Sequence, residues 1–113
     1  LRVQLGRNAV QLADHGVEYP LVTLGPEGVA HLAGGVVRLS WCPVEVPRKS
    51  VGAGDAFVAG LCAALLRPGG PAPVDLGLAT AAAHVAGLER ADLRRQVAAN
   101  LGLIRTVEGL GSL

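Results

Sequence analysis

The sequence predicts an α/β fold, a doubly wound sheet with a β-hairpin insertion, on three observations. Helically spaced apolar residues lead through a short turn into an apolar strand. Two short runs flank Gly34-Gly35. A glycine loop, Gly52-Ala53-Gly54-Asp55, opens onto a helix of small residues. The 113 residues suffice for one small domain, and an apolar half supplies its core and argues against disorder. Tyr19, Trp41 and Phe57 are the only aromatics, so the core falls to Val, Leu and Ala, which let helices lie close on a sheet.

Taken in order, Val3, Leu5, Ala9, Val10, Leu12 and Ala13 follow helical spacing between Arg2 and His15. Gly16 then fits a helix C-terminal cap. After the connector Tyr19-Pro20, Leu21 to Leu24 reads as a buried strand, and helix and strand together form one αβ unit. Val29–Ala33 and Val36–Leu39 about Gly34-Gly35 read as a hairpin. Trp41 to Val46 alternates loosely and is expected to be another strand, which Pro43 and Pro47 place at an edge or sheet end. Ala56 to Leu66 is a helix, Arg67 to Pro73 a surface loop, and Val74 to Ala86 a helix of very small residues. Asp92 to Leu103 is expected as the last helix, with Asp92 near its N-terminus, and Glu108 to Leu113 as a loose tail.

Composition narrows the function classes. A net charge of +1 and the lack of a basic stripe with interleaved aromatics argue against nucleic acid. The densest basic cluster, Arg90, Arg94 and Arg95, is interleaved with Glu89 and Asp92 and reads as a solvated helix face. The longest apolar run, Ala56 to Leu66, is too short to span a bilayer. Cys42 and Cys62 have no zinc spacing and are expected as buried free thiols in a reducing cytoplasm. His15, His31 and His84 share no ligand spacing and are expected as surface or core residues. No metal site is expected from the residues themselves. The chain begins at Leu1 and has no methionine, so a piece of a longer protein is expected.

The chemistry points to Ser50-Val51-Gly52-Ala53-Gly54-Asp55-Ala56-Phe57. Glycine permits positive φ and lets a ligand approach the backbone. The first N–H groups of a helix lack partners, and its dipole adds positive potential there, which makes an anion site. A transferring phosphoryl group is such an anion, so fixed donors here would stabilise its transition state. Asp55 at the mouth of that site could take the proton of an attacking hydroxyl. On these residues alone the alternative stands that Asp55 is an N-cap and the glycines only shape a turn. The segment is neither a Walker loop, lacking Gly-Lys-Ser/Thr, nor a dinucleotide fingerprint, since Phe57 holds the third glycine position.

Val51 to Phe57 resembles the Gly-Ala-Gly-Asp signature of ribokinase-like (PfkB) carbohydrate kinases. Thr23-Leu24-Gly25-Pro26-Glu27-Gly28, followed by a hairpin, is similar to a second motif of that family, in the same order and spacing. The resemblance runs from about Gln4 to Gly87. It implies that residues 1–113 are the C-terminal nucleotide-binding and catalytic part of a doubly wound, Rossmann-like ribokinase fold. The N-terminal substrate-binding part is then absent. It also implies an ATP- and Mg2+-dependent phosphotransferase with an alcohol acceptor, acting on a sugar or sugar phosphate. In those terms Gly52, Ala53 and Gly54 supply the anion hole, Asp55 is the base, and Thr23 to Gly28 lie along the phosphates and ribose. The small-residue helix walls the adenine site, with Thr80 at a position that touches the nucleotide or, equally, faces the core. The full-length protein would be cytoplasmic, with neither nucleic acid nor membrane as partner and a homodimer left open. The isolated chain, holding half an active site, is expected to be inactive.

Two departures qualify the resemblance. Many members carry Asp-Thr before the loop, and that Asp helps to hold a monovalent cation. Here Lys49-Ser50 stands there, as in the branch acting on fructose 1-phosphate or tagatose 6-phosphate. The family's Asn-x-x-Glu magnesium motif, lid and sugar-binding residues lie ahead of the stretch that opens here. A reading from a different class therefore remains, a non-catalytic nucleotide-fold remnant used for binding or assembly.

Overall fold

The computed structural model describes residues 2–108. The chain forms α1 (Arg2–Asp14), β1 (Leu21–Thr23), a 3-10 turn (Gly25–Glu27), β2 (Val29–Ala33) and β3 (Val36–Trp41). There follow α2 (Ala53–Leu65), α3 (Pro73–Val85), α4 (Arg90–Leu101) and β4 (Arg105–Glu108). The α/β class and the hairpin are as the sequence predicts. These elements fall into two compact units. One holds the chain up to Trp41 and from Arg105 onward, and the other holds Cys42–Ile104.

In the first unit α1 ends where the sequence asks it to. Gly16, at φ +91°, donates to the Ala13 carbonyl, and Val17 donates to that of Leu12 (both 3.0 Å), the paired bonds of a Schellman cap. The four strands lie in the order β1-β2-β3-β4, and every ladder is antiparallel. Ala30 pairs with Leu39, and Val22, Leu24 and Trp41 pack against this buried pair. Ala9 of α1 is also fully buried. Buried Ser40 joins three strands, since its hydroxyl bonds His31 Nε2 (3.0 Å) and Thr106 Oγ1 (2.8 Å). An ion pair, Arg38 Nε to Glu108 Oε1 at 3.0 Å, ties β3 to β4.

Three expectations are corrected here. Trp41 to Val46 is not a strand: Trp41 ends β3, and Pro43 and Pro47, having no N–H to give a ladder, leave 42–46 irregular. The strand that pairs with β3 is instead β4, four exposed residues with Val107 as their one large apolar side chain. Glu108 therefore belongs to a strand and not to a loose tail, while residues 109–113 lie outside the described residues. β1 is half-buried, with Thr23 exposed, because β2 is its one neighbour among the described residues.

The second unit is three helices. Phe57, Gly60 and Ala64 form the buried face of α2, which packs on α3. The approach is close because both faces are small. A Cβ on Gly60 would stand 2.6 Å from the Leu76 carbonyl, and one on Gly77 would stand 2.8 Å from Phe57 Cε1. Asn100, buried on α4, donates through Nδ2 to the Ala79 carbonyl (3.0 Å) and accepts from Gln96 Nε2 (2.8 Å). Cys62 lies on the opposite face of α2 and is exposed, against expectation, whereas Cys42 is half-buried. Burial pushes the Cys42 thiol pKa up. No helix among the described residues is long and apolar enough to cross a membrane.

Candidate active site

The helix after the glycine loop starts earlier than Ala56. Gly52 is its N-cap, at φ 88° and ψ 1°, in the left-handed region that glycine enters without penalty. Ala53, Gly54 and Asp55 then form the first turn. Gly54 has ordinary helical backbone and nothing within 4 Å of the place a Cβ would take. Only Gly52 therefore needs glycine for its conformation. At Gly54 the absence of a side chain leaves open space over the helix start.

The hydrogen bonds at this terminus can be followed one by one. Ala53 N–H donates to the Ser50 carbonyl (3.2 Å), and Ala56 N–H to that of Gly52 (2.9 Å). The N–H groups of Gly52, Gly54 and Asp55 make no hydrogen bond among the described residues. These are the orphan donors of a helix start, and the positive end of the dipole lies on them. The Asp55 side chain is exposed and makes no capping bond, since the cap is Gly52. The N-cap alternative for Asp55 is thus removed. What stands there is a carboxylate at the third helical position beside three backbone donors.

The end of α3 holds this loop in place. The Val85 carbonyl accepts from Arg48 N (2.8 Å) and Lys49 N (3.0 Å). His84 Nε2 lies 2.6 Å from the Val51 carbonyl oxygen. A carbonyl can only accept, so Nε2 carries the hydrogen. The sequence gives no hint of this contact, because His84 is 33 residues from Val51 and belongs to no fixed-spacing motif. Lys49 itself is exposed.

Thr80 sits on the α2 side of α3. Its hydroxyl donates to the Leu76 carbonyl (2.7 Å) and faces Gly60, whose added Cβ would lie 2.6 Å from it. Elsewhere on the unit, a cavity of ≈ 520 Å³ opens between the 43–48 segment, Ala82 and Ala86 of α3, and Gln96 and Asn100 of α4.

Thr23 to Gly28 belongs to the other unit. Leu24 N–H donates to the Gly28 carbonyl (3.0 Å) and Glu27 N–H to that of Leu24 (2.9 Å), which closes a tight 3-10 turn between β1 and β2. Thr23, Gly25, Pro26 and Glu27 are exposed, Leu24 is half-buried in the sheet core and Gly28 is buried. Gly28 has φ +106°, and a Cβ there would collide with the Ser40 carbonyl and Trp41 Cβ. Its role in the fold is thus fixed by close packing.

For Mg2+ the fit is poor. No group of three or more His, Cys, Asp or Glu side chains is gathered among the described residues. The described residues therefore offer no cage for the ion.

No curated protein matches the chain. A crystal structure assigned as a phosphofructokinase from Staphylococcus aureus is similar to it, with a TM-score of 0.72 and 21% identity, over 91% of this chain and 34% of that one. The chain thus spans about a third of that relative's length, and the likeness is one of fold. The family described as pfkB family carbohydrate kinase matches residues 4–91, a stretch that takes in both the Thr23–Gly28 turn and the Gly52–Asp55 helix start, and the chain belongs to that family.

Proposed function

We propose that this chain is the nucleotide-binding and catalytic part of an ATP-dependent carbohydrate kinase. The observation that carries the reading is the α2 start, where three N–H groups and the Asp55 carboxylate beside them have no partner among the described residues. Gly52, Gly54 and Asp55 donate to the oxygens of the transferring phosphoryl group, and Ala53 shapes the turn through its bond to Ser50. Asp55 accepts the proton of the sugar hydroxyl as that oxygen forms its bond to the γ-phosphorus. The bond from phosphorus to the β,γ-bridging oxygen breaks, and ADP leaves. Fixed donors aimed at charge that spreads in the transition state are the largest lever available to such a reaction.

In this reading the exposed turn Thr23 to Gly28 serves nucleotide binding, as the family resemblance implies. The small-residue helix α3 walls the adenine, where the Thr80 hydroxyl, already donating to Leu76, keeps lone pairs with which to accept. The acceptor is a sugar phosphate. Lys49-Ser50 ahead of the loop supports this, as does the structural neighbour's assignment as a phosphofructokinase. The test is ATP-dependent phosphorylation by the protein at its full natural length. Fructose 1-phosphate and tagatose 6-phosphate are assayed against unphosphorylated hexoses. Turnover on a sugar phosphate is the expected result. Nucleotide binding with no transfer to any of these acceptors would decide for a non-catalytic remnant.

A further inference from the structure

We propose that His84 is a positioning residue that aims the Gly52 N–H into the anion-binding loop. The proposal rests on the reading of Gly52–Asp55 as the phosphate site. His84 Nε2 donates to the Val51 carbonyl at 2.6 Å. That carbonyl and the Gly52 N–H belong to one planar trans peptide, so they point in opposite directions. Holding the oxygen against α3 therefore holds the N–H facing away from it.

The need for such a hold comes from Gly52 itself. At φ 88° the residue lies in a region that glycine populates about as readily as its mirror image. The 51–52 peptide plane thus meets little steric resistance to turning over. A reversed plane would present a carbonyl oxygen where the anion needs a donor. The same imidazole fills the space beside Gly52, where a Cβ would stand 3.1 Å from Nε2 and 3.3 Å from Cε1. The approach to the loop has a separate anchor, since the Val85 carbonyl accepts from Arg48 N and Lys49 N. Loss of the imidazole bond therefore frees one peptide plane and leaves the segment attached.

The experiment compares His84→Phe, His84→Ala and His84→Gln in the full-length protein. Phe keeps ring volume without a donor, Ala removes both, and Gln offers an amide N–H at the reach of Nε2. Calorimetry measures affinity for a non-hydrolysable ATP analogue and for ADP. The Phe and Ala variants are expected to bind the analogue about 3- to 10-fold more weakly, the range one hydrogen bond supplies. ADP, lacking the γ-phosphate, changes by less than about twofold, and Gln recovers most of the loss. Should Phe fail to fold, Ala carries the same comparison. Unchanged analogue affinity, an equal loss for both nucleotides, or no recovery with Gln overturns the proposal. Asp55→Asn measured alongside separates the two claims. If it turns over normally the site reading itself fails. If it is inactive while the His84 variants bind like wild type, only the positioning role fails.

Discussion

Gly54→Ala separates what the loop does for the fold from what it does for a ligand. Gly54 has helical backbone and no neighbour within 4 Å of an added Cβ, so the methyl group meets no protein atom. Removing a glycine from a helical position lowers the entropy of the unfolded chain, worth about 0.4–1 kcal/mol of added stability. The variant should therefore melt at or slightly above the wild-type temperature. Its methyl group would stand over the helix start, where the phosphoryl group is read to lie. Displacing a reacting group by about 1 Å costs on the order of 10²-fold in rate. Thermal unfolding followed by circular dichroism, with steady-state kinetics on the full-length enzyme, gives both numbers. An enzyme that is no less stable but loses kcat/KM for ATP by that order bears the reasoning out. Wild-type kcat/KM would refute close approach of an anion to Gly54, and a lowered melting temperature would refute the packing argument.

Gly60→Ala should do the reverse. Its Cβ would press on the Leu76 carbonyl and Thr80 Oγ1 at 2.6 Å, and overpacking of about 1–3 kcal/mol outweighs the helix-propensity gain of about 1 kcal/mol, so urea unfolding should shift to a lower midpoint. Lys49 offers no acceptor to a metal, and a cation beside it would meet repulsion of about 1 kcal/mol even in water. Exchanging potassium for a large organic cation at constant ionic strength should leave the rate unchanged, and several-fold activation by potassium would contradict this. Iodoacetamide should modify exposed Cys62 before Cys42, because burial raises the Cys42 pKa above its ordinary 9.0 and the thiolate is the reactive form. The same shift means that the folded state holds that proton longer than the unfolded one, so its stabilising share is present below pH 9 and is lost as the pH rises beyond. Peptide mass mapping after brief labelling checks the order.

Much of the fold is legible because the local signals are strong. Gly34-Gly35 between two apolar runs fixes the hairpin and Gly16 caps α1, whereas Pro73, read as the end of a loop, is the first residue of α3. The failures have a common cause in long-range pairing. Arg105–Glu108 carries too little apolar patterning to announce a strand, and it becomes one because Ser40 and Thr106 meet across the ladder. Trp41 to Val46 has the alternation but lacks the donors at Pro43 and Pro47. At the site, the glycines and Asp55 are visible as a string, yet their different duties are not. Gly52 takes a left-handed backbone, Gly54 leaves open space over the helix start, and Asp55 does not cap. His84 is invisible for the same reason as β4, since only the folded chain brings it to Val51.

The central claim is that Asp55 takes a proton beside the donors of the α2 start, and Asp55→Asn in the full-length enzyme tests it most directly. Asn keeps the shape and the backbone N–H but cannot accept the proton. A positioned base is worth about 10²–10⁴ in rate. Steady-state turnover with ATP and the preferred sugar phosphate should fall by that order, with ATP affinity nearly unchanged. An Asn variant that turns over at close to the wild-type rate would contradict the account.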